Sequence, residues 1–222
     1  MKNLIVTGAS GNLGNAVVEK FISENWNVTG TVHDGSTKVS ENKNENYISL
    51  DLLDNSACES FINSAIERSG NIDAAVLTAG GFAMGSIAET KIEDINKQYE
   101  LNFQTAYNIA RPVFLQMMKQ ESGIIFLLGS RPGMEVGKGT KSIAYALSKS
   151  LIFRLSEIMN ADAAGKNVKT IVLVPNIIDT PQNRKSMPDA DFSKWMTPAA
   201  IAEIIYNNSL KKVDDLPGVI VL

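Results

Sequence analysis

A chain of 222 residues with 44% hydrophobic and 20% charged side chains has enough apolar material for one well-cored domain, and its composition is ordinary for a globular protein. A formal net charge of −3 leaves no basic footprint for nucleic acid, and no apolar run reaches the roughly eighteen residues that would span a bilayer. One cysteine, Cys58, excludes an internal disulfide, and the single histidine leaves no His/Cys metal set; with an N-terminus that runs from Met1 and Lys2 straight into an apolar stretch, this predicts a cytoplasmic protein without bound metal.

Short β-branched runs alternate with amphipathic stretches along the whole chain. Leu4-Ile5-Val6 predicts a first strand, and a helix follows over about 13–23 with Ala16, Val17, Phe21 and Ile22 facing inward. Val28 to Val32 predicts a second strand and Tyr47 to Leu50 a third, separated by a polar segment, Ser40 to Asn46, that has no core-forming pattern. Then come a helix over 56–69, a strand at Ala74 to Leu77, a long helix over roughly 92–119, and a strand at Ile124 to Leu128. A helix over 142–163 and a strand at Lys169 to Val174 lead into a Pro/Asp/Ser-rich loop over 175–197. Thr197-Pro198 has the pattern of a helix start, a capping hydroxyl followed by proline at the first helical position. The chain closes on a short strand, Val219 to Leu222.

Strands separated by helices require right-handed crossovers and a parallel sheet covered on both faces. The expectation is an α/β fold in one domain over residues 1–222: a doubly wound (Rossmann) sheet of about seven strands with helices on both faces. Such sheets bind ligands at the carboxyl ends of their strands, near the point where strand order reverses.

The octet Thr7-Gly8-Ala9-Ser10-Gly11-Asn12-Leu13-Gly14 stands between the first strand and the first helix. Glycines there permit a tight turn and close approach of a phosphate, and the helix start offers free N–H groups and partial positive charge to a pyrophosphate. A dinucleotide is the expected ligand. Tyr145-Ala146-Leu147-Ser148-Lys149 places a phenol and an ammonium four residues apart on one helix face. A nearby cation favours the phenolate, so the pair is expected to lower the tyrosine pKa and to move a proton while hydride moves at a nicotinamide.

These motifs, spread over nearly the whole chain, resemble those of the short-chain dehydrogenase/reductase family. The spacing of Gly8, Gly11 and Gly14 is closer to the family's extended branch, whereas the chain length suits the short branch. The resemblance implies NAD or NADP as cofactor, Tyr145 as acid/base and Lys149 as its activator and ribose ligand. It also implies Asn102 as the helix asparagine whose backbone holds a proton-relay water, and Ser130 as the substrate-orienting hydroxyl. Ser130 lies two residues further from the tyrosine than is usual, which a small loop insertion at 131–141 would absorb; Ser142, nearby, reads as a helix cap. The resemblance places Asp51 and Leu52 beside the adenine. Ala79, Gly80 and Gly81, preceded by Thr78 in place of the usual asparagine, fall beside the ribose. The segment Pro175 to Thr180 falls at the carboxamide, through Pro175, Ile178 and the Thr180 hydroxyl.

Val32 occupies the family's usual acidic position. Asp34 favours NAD, while His33, Ser36 and Lys38 favour a 2′-phosphate, so the cofactor preference stays open. A triad hydrolase is disfavoured, because His33 belongs to the cofactor-side loop. The string from Asp179 to Trp195, together with Ala79-Gly80-Gly81-Phe82 and Glu24-Asn25-Trp26, resembles the quinonoid dihydropteridine reductases of the same family. That likeness implies a flat substrate walled by Phe82, Met187 and Trp195. A carbonyl reductase of another substrate class and a non-catalytic dinucleotide-binding sensor are the alternatives. The family also implies a small-molecule substrate and a homodimer or homotetramer formed through the helices at about 92–119 and 142–163.

Overall fold

Apolar residues alternate between two covers along each central strand, which is what a sheet buried on both faces demands. In the computed structural model, which describes residues 1–33, 40 and 42–222, there are seven such strands. They are β1 (Asn3–Thr7), β2 (Asn27–Val32), β3 (Glu45–Ser49), β4 (Ala74–Leu77), β5 (Ser122–Leu128), β6 (Asn167–Val174) and β7 (Val219–Val221), paired in parallel in the order β3-β2-β1-β4-β5-β6-β7. Val6 lies opposite Gly30 of β2 on one side and Val76 of β4 on the other. The chain order therefore reverses between β1 and β4, and a crevice opens at their carboxyl ends.

Leu4 and Val6 of β1 and Phe126 of β5 point to the face covered by α1 (Asn12–Ser23) and, late in the chain, by the Pro198–Ser209 helix; Val17, Phe21, Ile201 and Ile205 meet them there. Ile5, Ile125 and Leu127 point the other way, to α2 (Asn55–Ser69) and to the later helices Thr105–Gln120 and Ile143–Asp162, against Ile62, Ile109, Met117 and Ile152. Each such fully buried side chain stabilises the fold by about 1.5–3 kcal/mol relative to exposure.

Four segments differ from the sequence expectation. The third strand starts at Glu45, two residues early, because Glu45 and Asn46 pair with Val28 and Thr29 of β2; an edge strand needs no apolar pattern to gain those backbone bonds. The region 92–119 is not one helix. It comprises α3 (Ile92–Tyr99), a π-helical turn at Glu100–Gln104 and α4 (Thr105–Gln120), and such a turn swings side chains out of a helix's regular rows. The insertion at 131–141 forms two one-turn helices, α5 (Arg131–Met134) and α6 (Val136–Gly139), ahead of α7 (Ile143–Asp162). Within 175–197 lie α8 (Pro181–Ser186) and a 3₁₀ turn at Phe192–Lys194. The final helix, α9 (Pro198–Ser209), starts as expected, with the Thr197 hydroxyl accepting from the Ala200 N–H at 3.2 Å.

β6 is longer than β7, which pairs only with Val172 to Val174. In the uncovered half, Asn160 of α7 takes the place of a strand: its Oδ1 accepts from the Thr170 N–H at 2.8 Å and its Nδ2 donates to the Thr170 carbonyl at 2.8 Å.

Candidate active site

β1 passes into α1 through the glycine turn. A Cβ on Gly14 would lie 2.1 Å from the Gly8 carbonyl oxygen, and Gly8 itself has φ +65°, so helix and turn touch as no other residue type would allow. Gly11, the N-cap, brings no capping side chain, and the first turn of α1 holds no acid. The N–H groups of Asn12, Leu13 and Gly14 thus have no helical acceptor, and with the partial positive charge of the helix start they suit a pyrophosphate. Ser10 is exposed beside them. The Thr78 hydroxyl donates to the Thr7 carbonyl at 2.7 Å and the Ala79 N–H to the Thr7 hydroxyl at 3.3 Å. Thr78, where the family has asparagine, thereby locks the ends of β1 and β4 together.

At the end of β2, Val32 is buried and His33 exposed. Asp34, Ser36 and Lys38 lie outside the described residues. The Asp51 carboxylate accepts from the Leu53 N–H at 2.9 Å, closing its own turn. Asn108 of α4, buried and not anticipated from sequence, holds that turn by donating to the Leu52 carbonyl at 2.9 Å. A core-facing polar residue in an apolar helical stripe was the available signal.

Tyr145 and Lys149 stand one turn apart at the start of α7. Lys149 is 3% exposed, its Nζ donating to the Leu128 carbonyl at 2.8 Å and lying 5.9 Å from the Tyr145 ring centroid. Burial pushes the ammonium down to about 8. Tyr145 departs from expectation: enclosure raises its pKa, and a hydrogen bond from Ser130 works the other way. Desolvation opposes the charged form of each partner, so the proximity of a cation does not decide the phenol's pKa here. The Ser130 oxygen also accepts from the Gly133 N–H at 3.2 Å, as N-cap of α5. A Cβ on Gly133 would come within 2.6 Å of the Lys149 Cβ, so a glycine lets α5 lie directly on α7 and bring Ser130 to Tyr145 across the longer spacing. Ser142 sits at the N-cap of α7 without a side-chain cap bond and instead bridges to Gly85.

Asn102, in the π-helical turn, is 1% exposed. Its Oδ1 accepts from the Gly81 N–H at 3.0 Å, and its Nδ2 donates to the Gly81 carbonyl at 3.0 Å and to Gln98 Oε1 at 3.0 Å. A Cβ on Gly80 would lie 2.6 Å from Asn102 Oδ1 and 3.6 Å from Lys149 Nζ, so the end of β4, the π turn and α7 converge at one point. Gly85 is held too, its N–H donating to the Lys141 carbonyl and its own carbonyl accepting from the Ile143 N–H. Between these anchors Phe82, 60% exposed, sets its ring edge-on to Tyr145 with centroids 5.0 Å apart.

Beyond β6, Ile178 bridges to Met196. The Thr180 hydroxyl caps α8, accepting from the Asn183 N–H at 3.2 Å, which leaves its proton available to a ligand. Arg184 grips Asp179 with two bonds of 2.6 and 2.7 Å, holding that carboxyl below its usual range, and lies over the Phe192 ring. Met187 is half-buried at the end of α8. Trp195 is 9% exposed and packs on Phe192 at 4.7 Å, and the ring set against Tyr145 is that of Phe82. Asn12 Nδ2 donates to Gln182 Oε1 at 3.0 Å, joining the glycine turn to α8.

A cavity of about 560 Å³ lies at the opposite, amino-terminal edge of the sheet, lined by Asn3, Asn27, Lys43 and Arg68 among others, away from the strand ends where these groups meet. Among the described residues, no three His, Cys, Asp or Glu side chains gather to hold a metal ion, and no helix is long and apolar enough to cross a membrane.

The short chain dehydrogenase family model matches residues 2–191. Dihydropteridine reductase of Dictyostelium discoideum is 28% identical over 212 residues, covering 92% of this chain and 86% of that protein. The 3-oxoacyl-[acyl-carrier-protein] reductase of Escherichia coli (strain K12) is 27% identical over 192 residues, 85% of this chain and 78% of its own. Among solved structures, ElxO with NADP bound superposes with a TM-score of 0.87 at 24% identity, covering 100% of this chain and 96% of that one. The closed form of serine dehydrogenase complexed with NADP+ does so at 0.88 and 19% identity, covering 99% and 94%. The chain belongs to the short chain dehydrogenase family and is an NAD(P)-dependent oxidoreductase of it.

Proposed function

We propose that the protein uses NAD(P)H to reduce a pterin-like (quinonoid dihydropteridine) substrate, seated against Phe82 with its reacting oxygen or nitrogen at Tyr145. The observation that carries this reading is the edge-on contact of an exposed Phe82 with Tyr145, on a segment held at both ends, beside a tyrosine already hydrogen-bonded to Ser130. The cofactor supplies the hydride. Tyr145, its pKa raised, keeps its proton at neutral pH and delivers it to the substrate atom that gains charge. Ser130 gives up its bond to Tyr145 when substrate binds and turns its one proton to that atom as a second donor. Lys149 holds the ribose hydroxyls and is charged below about pH 8. Asn102 fixes the backbone of the π turn and of Gly81, and with it the path along which a water reaches the site. Gly8, Ser10, Gly11, Asn12, Leu13 and Gly14 hold the pyrophosphate, and Pro175, Ile178 and Thr180 the carboxamide.

A second reading, reduction of a small carbonyl compound, is favoured by Ser130: a ketone oxygen needs two donors, whereas a quinonoid ring is already activated toward hydride. A dinucleotide sensor is disfavoured by the buried Tyr145/Lys149 pair, for which it has no use. Exposed apolar side chains on α4 and α7, Leu115, Leu147, Leu151 and Ile158, support a homodimer or homotetramer, and the lone buried cysteine fits cytoplasmic residence.

The test is the rate of NADH and NADPH oxidation with quinonoid dihydropterin generated in the assay. Fast turnover with one cofactor supports the pterin reading and sets the preference. No turnover with either discards it in favour of a panel of small carbonyls, and cofactor binding without turnover on any substrate would favour the sensor.

A further inference from the structure

The bond between Asn12 and Gln182 joins residues 170 positions apart, both exposed. Asn12 is the first residue of α1, so its side chain leaves the helix beside the free N–H groups of the pyrophosphate turn. Gln182 is the second residue of α8, on the chain that leaves the carboxyl end of β6. β1 and β6 are three strands apart in the sheet, roughly 14 Å at the usual strand spacing. The bond therefore spans the crevice over the ends of β4 and β5, where Gly80 and Ser130 lie. α8 is firm at its base: Thr180 caps it, Asn183 Nδ2 donates to the Ile178 carbonyl at 2.8 Å, and Arg184 forks onto Asp179. These contacts fix where Gln182 can reach.

We propose that Gln182 is a cofactor-positioning residue: bonded to Asn12, it straps α8 across the pyrophosphate turn, and the dinucleotide enters and leaves by breaking that bond. The amide pair suits this task because both groups are neutral. A carboxylate at either position would repel the phosphates, and an ammonium would hold them too firmly for release. The proposal rests on dinucleotide binding and is independent of the substrate.

The test measures NADPH and NADH binding by cofactor fluorescence, and release by stopped-flow displacement, with no substrate present. The proteins compared are the wild type, Asn12→Ala, Gln182→Ala, the double variant and Gln182→Glu. Either alanine variant should release cofactor about two- to ten-fold faster, the range expected for one hydrogen bond. The double variant should be no faster than the singles, because each removes the same bond. Gln182→Glu keeps an acceptor for Asn12 but sets a carboxylate over the phosphates. It should bind more weakly than Gln182→Ala, with the difference shrinking as salt is raised. Unchanged release in both alanine variants, additive effects in the double variant, or wild-type affinity in Gln182→Glu would each overturn the proposal. A protein that reduces neither pterin nor carbonyl but shows this pattern would retain the strap and lose the proposed substrate.

Discussion

Replacing Lys149 by methionine should stabilise the cofactor-free protein while abolishing turnover. The ammonium is 3% exposed and rests on the Leu128 carbonyl alone among the hydrogen bonds resolved for it. A pKa moved by burial from 10.5 to about 8 corresponds to about 3 kcal/mol against the charged folded state, at roughly 1.4 kcal/mol per tenfold. Below pH 8 the lysine is charged in both states and the folded protein bears that whole cost. Between about 8 and 10.5 the unfolded chain holds a proton that the folded one has released, so wild-type stability rises with pH. Methionine fills similar space without charge, and leaving the Leu128 carbonyl without its donor costs about 1 kcal/mol. The net gain at pH 7 is then about 2 kcal/mol, or roughly 4–8 °C in Tm for a chain of this size. Thermal melts without cofactor from pH 7 to 9.5 avoid the ionisation of Tyr145, whose raised pKa makes folded-state stability fall only above 10. The wild-type Tm should climb until the two proteins melt together near the top of that range. A variant no more stable than wild type at pH 7, or a gap that does not close with pH, would refute the claim that desolvation governs this lysine.

Tyr145→Phe should cut kcat on a carbonyl substrate by about 10²–10⁴-fold with cofactor affinity unchanged; equal turnover would end its role as proton donor. Asn102→Ala removes bonds to Gly81 N–H, Gly81 C=O and Gln98 and should cost about 1.5–4.5 kcal/mol in urea unfolding, at roughly 0.5–1.5 kcal/mol each; a loss under about 0.5 kcal/mol would contradict the buried network. Gly133→Ala drives a Cβ into Lys149. It should destabilise by about 1–3 kcal/mol and lower kcat by displacing Ser130, and dinucleotide binding, measured by fluorescence, should weaken with it because the clash falls on Lys149.

What the sequence made legible is what chemistry confines to short range. The glycine turn is a strand–turn–helix feature within one octet, and Tyr145 and Lys149 share a face because helical geometry puts residues four apart together. The alternation that sends Leu4 and Val6 to one cover and Ile5 to the other is likewise local, so the doubly wound sheet follows from pattern alone. The rest depends on contacts between distant segments. Nothing near Asn102 announces that a π turn will aim it at Gly81, because the apolar periodicity of 92–119 continues through the break. The meeting of Ser130 with Tyr145 hangs on Gly133 and two one-turn helices, in a stretch whose composition reads as loop. The expected fall in the Tyr145 pKa failed for the same reason: spacing reports the distance to a cation but not the desolvation of both partners. The sequence offers Trp195 as an aromatic of the substrate loop, and only the fold shows that its neighbour there is Phe192.

Asn160 bears on how the molecule behaves among copies of itself. An open strand end is a template on which another chain can add by backbone pairing, and the uncovered half of β6 would be one. By saturating both the N–H and the carbonyl of Thr170, one amide side chain blocks that template where β7 stops. With the Ser156 hydroxyl, which also donates to the Thr170 carbonyl at 3.1 Å, it should guard against aggregation with no extra strand and no surface charge. Removing it should leave the active site intact and reveal itself in light scattering of a concentrated, gently warmed solution.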